Sequence, residues 1–247
     1  MNLAEAFNDL SQVIFPPQCL GCAEIIPSVK DQIFCRDCAK HVHFIAGSIC
    51  PVCGTTFPDS PAENHLCEDC LKKQPYFSQA RAVFCYEAVI LDAIHQFKYK
   101  RDIATGEILA DFMADYPFPD IAFDDYSLIV PVPLHVKRLR ERGFNQSLIL
   151  ARRLAKRKQI PVDFFVLKRH RFTSTQAQSN KQERKQNIRG AFEVRGIKKI
   201  AGRNILLIDD VFTTGATVNE CSKTLIKAGA KKVSVLTLAR VLQHVSF

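Results

Sequence analysis

Two groups of residues in this chain have the types and spacing to do chemistry. The first is Ile205-Leu-Leu-Ile-Asp-Asp-Val-Phe-Thr-Thr-Gly-Ala-Thr217, where four apolar residues run into Asp209 and Asp210 and then into the hydroxyl-rich turn Thr213-Thr214-Gly215-Ala216-Thr217. The second is a set of four Cys-x-x-Cys pairs: Cys19/Cys22, Cys35/Cys38, Cys50/Cys53 and Cys67/Cys70. Backbone N–H groups at a glycine-containing turn into a helix bind phosphate. Two carboxylates cannot bind phosphate themselves, but they accept hydrogen bonds from vicinal hydroxyls or hold a hydrated magnesium ion. Hydroxyls beside a phosphate describe a ribose 5-phosphate. An acidic helix cap followed by an ordinary turn would need only one Asp.

Tetrahedral zinc takes four soft ligands, and a two-residue gap lets a tight turn aim both thiolates of a pair at one ion. Eight cysteines in four pairs therefore predict two structural zinc sites, with no open position for water and no catalytic role. Sequential sharing (first pair with second, third with fourth) is the expected arrangement, and interleaved sharing is the alternative. Disulfides are the competing use, but a reducing cytoplasm excludes them. His41, His43 and His65 are spare ligands or ordinary surface histidines, and Cys85 and Cys221 read as plain buried thiols.

The elements that must position these residues follow from periodicity. "MNLAEAFNDLSQVIFPP" spaces Leu3, Ala6, Phe7, Leu10, Val13 and Ile14 as an amphipathic helix that Pro16-Pro17 stops. Its acidic residues argue against a signal peptide, and no apolar run approaches a membrane span, so a cytoplasmic location is expected. From residue 79 strands alternate with helices. "ARAVFCYE", "YSLIVPVP", "VDFFVL", "NILLIDD" and "KKVSVLTLAR" read as strands. Ile90, Ile94 and Phe97 mark one helix. A second is capped by Asn145 with Leu148, Ala151, Leu154 and Ala155 as its apolar face, and a third runs over 217–228 up to Gly229. This alternation predicts a parallel sheet covered on both faces, with Asp209 and Asp210 at the carboxyl rim where such sheets bind ligands.

Charge divides the chain the same way. Residues 1–78 carry net −4 and residues 79–247 net +13, while 135–203 alone hold 20 Lys and Arg against 4 Asp and Glu. A polyanionic partner is expected for that segment. It contains two basic stretches, Lys137, Arg138, Arg140 and Arg142 after "IVPVP", and Lys181, Arg184, Lys185 and Arg189 in "TSTQAQSNKQERKQNIRG", a polar run expected to form a long loop. Lys98 and Lys100 are weaker candidates. Beside them, Tyr99 could stack on bases and Phe97 reads as core.

The 205–217 motif resembles the phosphoribosyl-pyrophosphate loop of type I phosphoribosyltransferases. With four knuckles ahead of it, plus "PVPLHVKRLRERGFNQ" and "TQAQSNKQERKQNIRGAF", nearly the whole chain resembles the ComF family of competence proteins. That resemblance implies an N-terminal helix over 1–18, a double zinc ribbon over 19–78 and a phosphoribosyltransferase-like domain over 79–247. It implies that Asp209 and Asp210 engage the ribose hydroxyls, as the catalytic pair, and that Thr213–Thr217 wrap the 5-phosphate. The segment after "IVPVP" would be a pyrophosphate loop assisted by magnesium, and the polar run a closing loop. Lys137, Arg138, Arg142, Lys181, Arg184, Lys185 and Arg189 suit pyrophosphate or a DNA backbone equally. The implied role is handling incoming single-stranded DNA in the cytoplasm, alongside DNA-uptake or recombination proteins, with turnover left open but leaning to a transferase. The alternatives are a metabolic transferase acting on a small base and a non-catalytic nucleic-acid binder. Thr213 departs from purine-type transferases, which often place an acid there.

Overall fold

The computed structural model describes residues 16–26, 33–57, 63–99, 102–172 and 186–242. Four parallel strands make the central sheet: β1 (Gln79–Cys85), β2 (Leu128–Pro131), β5 (Asn204–Phe212) and β6 (Lys232–Arg240), in the spatial order β1-β6-β5-β2. Ile205–Ile208 in β5 and Val233–Ala239 in β6 are buried without a polar alternation. That is the signature of parallel strands with both faces covered.

Successive β5 side chains feed two cores. Leu206 and Ile208 join Ile90, Ala93 and Ile94 of α3 (Ala88–Tyr99), Leu109 and Met113 of α4 (Ile103–Asp115), and Leu150 and Leu154 of α6 (Gln146–Lys158). Ile205 and Leu207 join Val218, Cys221 and Leu225 of α7 (Ala216–Lys227). Beside α7 lies a small antiparallel pair, β3 (Leu167–Arg169) with β4 (Phe192–Val194). Each large apolar side chain buried this way contributes about 1.5–3 kcal/mol.

The cysteine-rich segment cannot build a core of its own, and it uses the body's. It contains two single helical turns, α1 (Arg36–Ala39) and α2 (Glu68–Lys72), each just after a cysteine. Leu20, Ile26 and Phe34 enter the α3–α4 core, while Cys50, Cys53 and Cys70 enter the α7 core. Its backbone also covers the outer edge of β1. Ile45 N–H donates to the Val83 carbonyl, Cys85 N–H to His43 and Ala80 N–H to Val52, at 2.8–2.9 Å. An open strand edge is thereby closed.

Several sequence expectations change. "VDFFVL" is not a strand: the Asp163 carboxylate accepts from Phe165 and Val166 N–H, turning the chain, and Phe165 lies exposed. Pairing there is limited to a bridge between Val162 and Ile129 before β3 begins at Leu167. The expected loop after "IVPVP" contains α5 (Val136–Arg142), ended by Gly143 at φ 86°. Asn145 caps α6 as expected, accepting from Ser147 N–H at 3.1 Å, but the helix buries Ser147, Leu150, Ala151 and Leu154. Leu148 and Ala155 stay half-buried. Helix α4 and strand β4 have no counterpart in the sequence reading. The expected N-terminal helix, Lys100, and Lys181, Arg184 and Lys185 with most of their polar run, lie outside the described residues.

Candidate functional site

Strand β5 runs on past β2. The β2 pairing ends at Pro131 opposite Ile208, while β6 continues alongside as far as Phe212. Asp209 and Asp210 therefore stand at a step in the sheet, open on the β2 side. The Ser147 hydroxyl donates to Asp209 Oδ1 at 2.9 Å, and Asp210 N–H donates to the same oxygen at 3.0 Å. Asp210 Oδ2 pairs with Lys98 Nζ at 2.9 Å, both side chains being 14% exposed. Burial, and then the Asp210 charge, push the Asp209 carboxyl up to about 7, against the Ser147 and Asp210 N–H donors and Lys98. Burial would lower Lys98, but Asp210 outweighs it and the ammonium is held above its usual range.

The turn after β5 is shaped by Gly215, at φ 71°, which caps α7. A Cβ there would lie 2.5 Å from Phe212 Cζ, so the position admits only glycine without a shift. Asn219 N–H closes the first turn of α7 onto the Gly215 carbonyl. The N–H groups ahead of it are the ones a helix start leaves without intrahelical partners. A small cavity opens between Asp209, Thr213, Gly215 and Thr217.

The basic candidates lie on α5 and beside α7. Helix α5 places Lys137 Nζ 4.7 Å and the Arg138 guanidinium 5.8 Å from the Phe172 ring, and His135 also edges that ring. Arg142 covers Tyr99 at 5.2 Å and bonds Gln146. Arg189 is exposed beside α7, whose Glu220 accepts from the neighbouring Gly190 N–H. Phe97 is core, stacked on Phe144 and filling the space at Gly106. Part of the basic segment is already matched by acids: Arg153 by Asp111, Arg157 by Asp115, Lys199 by Asp163.

Sequence reasoning misses Ser147, whose only signal was its place two residues after a helix cap. It also misses Arg169 on β3, whose half-buried guanidinium has its pKa lowered by burial, with Cys221 and Asp209 acting to raise it.

The cysteines form two groups, Cys19, Cys22, Cys35 and Cys38, and Cys50, Cys53, Cys67 and Cys70, each with its Sγ atoms within 4.8 Å. Sharing is therefore sequential. A tetrahedron with ~2.3 Å zinc–sulfur bonds has edges of about 3.8 Å. Cys22 and Cys35 lie 3.7 Å apart and Cys53 and Cys67 3.5 Å, so both groups fit zinc. Burial disfavours the Cys19 thiolate, but the backbone N–H groups around it prevail and lower its pKa to about 7. His43 bonds Glu87 and His65 stacks on Phe57, outside either group.

Sheet, helices and cysteine clusters together define a class: a phosphoribosyltransferase-like body preceded by a double zinc ribbon. Family models agree, the double zinc ribbon domain matching residues 10–71 and the phosphoribosyl transferase domain residues 144–245. Full-length relatives narrow the class. Competence protein ComFC of Bacillus subtilis is 30% identical over 220 residues, 85% of each chain. Competence protein F of Haemophilus influenzae is 30% identical over 222 residues, 83% of this chain and 96% of its own. The DNA utilization protein YhgH of Escherichia coli K12 is 33% identical over 201 residues, 79% and 85%. The chain belongs to the ComF family of competence proteins. Among solved structures, the glutamine phosphoribosylpyrophosphate amidotransferase of B. subtilis overlaps 53% of this chain and 25% of its own at 20% identity and a TM-score of 0.36, a distant likeness.

Proposed function

We propose that the body binds phosphoribosyl pyrophosphate, or another 5-phosphoribosyl group, between Asp209 and Thr217, and that the protein handles single-stranded DNA in the cytoplasm as part of DNA uptake. The carrying observation is the carboxylate pair at the end of β5, held by Ser147 and Lys98, beside the glycine-capped start of α7. In this reading Asp209 and Asp210 accept hydrogen bonds from the ribose hydroxyls, and the N–H groups and hydroxyls of Thr213, Thr214, Gly215, Ala216 and Thr217 hold the 5-phosphate. The Lys98 ion pair orients Asp210 for this. Lys137, Arg138 and Arg142 supply positive charge for a pyrophosphate or a DNA phosphate. Magnesium, when bound with the sugar diphosphate, would offset its negative charge.

A transferase activity is the favoured use of the pair. Thr213 leaves no carboxylate at the position where purine-type enzymes place one, so a purine acceptor has no support. The working division is a metal-held head over 19–78 and a sugar-phosphate-binding body over 79–247. Among the described residues no helix is long and apolar enough to cross a membrane.

Calorimetry with phosphoribosyl pyrophosphate and magnesium tests the site. Wild type should bind, and Asp209→Asn with Asp210→Asn should bind much more weakly while melting as a folded protein. Equal affinity in the double variant removes the site. For DNA, the names of the relatives and the basic helix α5 favour the body as footprint. Anisotropy of a labelled single strand should fall steeply with salt, and each phosphate contact removed by substitution at Lys137, Arg140 or Arg189 should flatten the log–log slope by about 0.7. A flat salt response in wild type rejects the footprint.

A further inference from the structure

We propose that Arg240 is a positioning residue that ties the second zinc cluster to the phosphate-binding turn, so that metal at Cys50, Cys53, Cys67 and Cys70 and ligand at Asp209–Thr217 stabilise one another. This rests on the ligand reading above and adds a regulatory coupling to it. Arg240 ends β6 opposite Phe212, the last residue of β5, and is 3% exposed. A buried guanidinium needs partners for its donors; here Nη1 and Nη2 have them and Nε has none. Nη1 donates to the Cys53 carbonyl and Nη2 to Thr55 Oγ1 at 2.9 Å, both acceptors lying in the knuckle. Its flat face covers the Phe212 ring at 4.9 Å, and that ring is the surface against which Gly215 is pressed.

The contact is close on the knuckle side too. Gly54 has φ 73°, and a Cβ there would lie 2.6 Å from the Ala80 carbonyl oxygen and 3.1 Å from Arg240 Nη1. A second path runs in parallel. After the last knuckle, Tyr76 N–H donates to Asn219 Oδ1 of α7 at 2.7 Å, and Phe77 meets Phe212 edge-on at 6.1 Å. The first cluster is tied to the other core: Cys19, Cys35, Cys38 and their apolar neighbours pack with α3 and α4, and Gln96 of α3 donates to the Leu20 carbonyl at 3.5 Å. Opening the second cluster would strip Arg240 of both acceptors and release the support beneath Phe212. Linkage then requires that a ligand which orders the turn also retain the metal, and more strongly at the second cluster than at the first.

The test uses the full, zinc-loaded chain and site-resolved alkylation of cysteines by N-ethylmaleimide, read by mass spectrometry. Saturating phosphoribosyl pyrophosphate with magnesium should slow alkylation of Cys50, Cys53, Cys67 and Cys70 by about five-fold or more, and that of Cys19, Cys22, Cys35 and Cys38 less. In Arg240→Met the difference should disappear while both clusters still carry metal. Equal protection of both clusters, or none when calorimetry shows binding, overturns the coupling. If calorimetry shows no binding, the functional reading fails and amide exchange decides the coupling alone. Cys67→Ser should then speed exchange over 212–217 more than Cys35→Ser does, and equal effects overturn it.

Discussion

Replacing Gly215 by alanine should destabilise the protein and loosen the turn that the ligand needs. Two costs are separable. Gly215 sits at φ 71°, where a non-glycine residue pays about 1–2 kcal/mol. The added Cβ would also meet Phe212 Cζ at 2.5 Å, roughly 1 Å inside ordinary contact. The ring cannot swing away, because Arg240 covers it at 4.9 Å and Phe77 abuts its edge. Overpacking of this kind costs about 1–3 kcal/mol, so the total is about 2–5 kcal/mol. Gly202→Ala is the control. Gly202 has the same φ of 71° but nothing within 4 Å of its Cβ position, so only the backbone cost applies. Urea titration of both variants, with calorimetry for phosphoribosyl pyrophosphate, separates the terms. Gly215→Ala should unfold at lower urea than Gly202→Ala, with unchanged slope, and it alone should lose affinity. Equal midpoints and intact binding in both would refute the claim that Phe212 shapes the turn.

Ligand affinity should rise with pH through about 7, because the hydroxyl-accepting form of Asp209 is the ionised one and its pKa is raised to about 7; a pH-independent calorimetric affinity would contradict this. The sign for stability is opposite. The native state holds a proton that the unfolded chain has released between pH 3.8 and about 7, so stability should decline across that window, and Asp209→Asn should remove the decline in urea titrations. Lys98→Met should cost about 1–3 kcal/mol and move the pH dependence of binding upward, since it removes the cation facing both carboxylates; an unmoved profile would show that Lys98 is only structural. Elemental analysis should find two zinc ions per chain, falling to one in Cys35→Ser, and a strong chelator should lower the melting temperature by exposing Leu20, Ile26, Phe34 and Phe77; zinc-free protein with an unchanged melting curve would refute a structural role.

Much of the chemistry could be read from the sequence, because it depends on short-range spacing. Four Cys-x-x-Cys pairs predict two zinc sites wherever the chain goes, since each knuckle is a local turn. The strand-to-turn-to-helix run through Asp209, Asp210 and Gly215 is likewise local, and β5, Gly215 and α7 occur where its pattern places them. Even the sharing of ligands follows neighbour order, as short connections favour. What the sequence could not show is set by contacts between distant segments. Ser147 and Lys98 reach the carboxylate pair from 62 and 112 residues away, and although Lys98 stood out as a weaker basic candidate, nothing in the sequence pairs either residue with the two acids. "VDFFVL" has the composition of a strand and starts beside β2 with the Val162–Ile129 bridge, yet the Asp163 carboxylate, accepting from Phe165 and Val166 N–H, turns the chain away and overrules propensity. The zinc head looked like an acidic unit apart from a basic body. Only the folded chain places its backbone on the open edge of β1 and its two clusters in two different cores. The reason is physical: a segment too small to bury enough apolar surface alone must find that surface elsewhere, and where it finds it depends on the whole sheet.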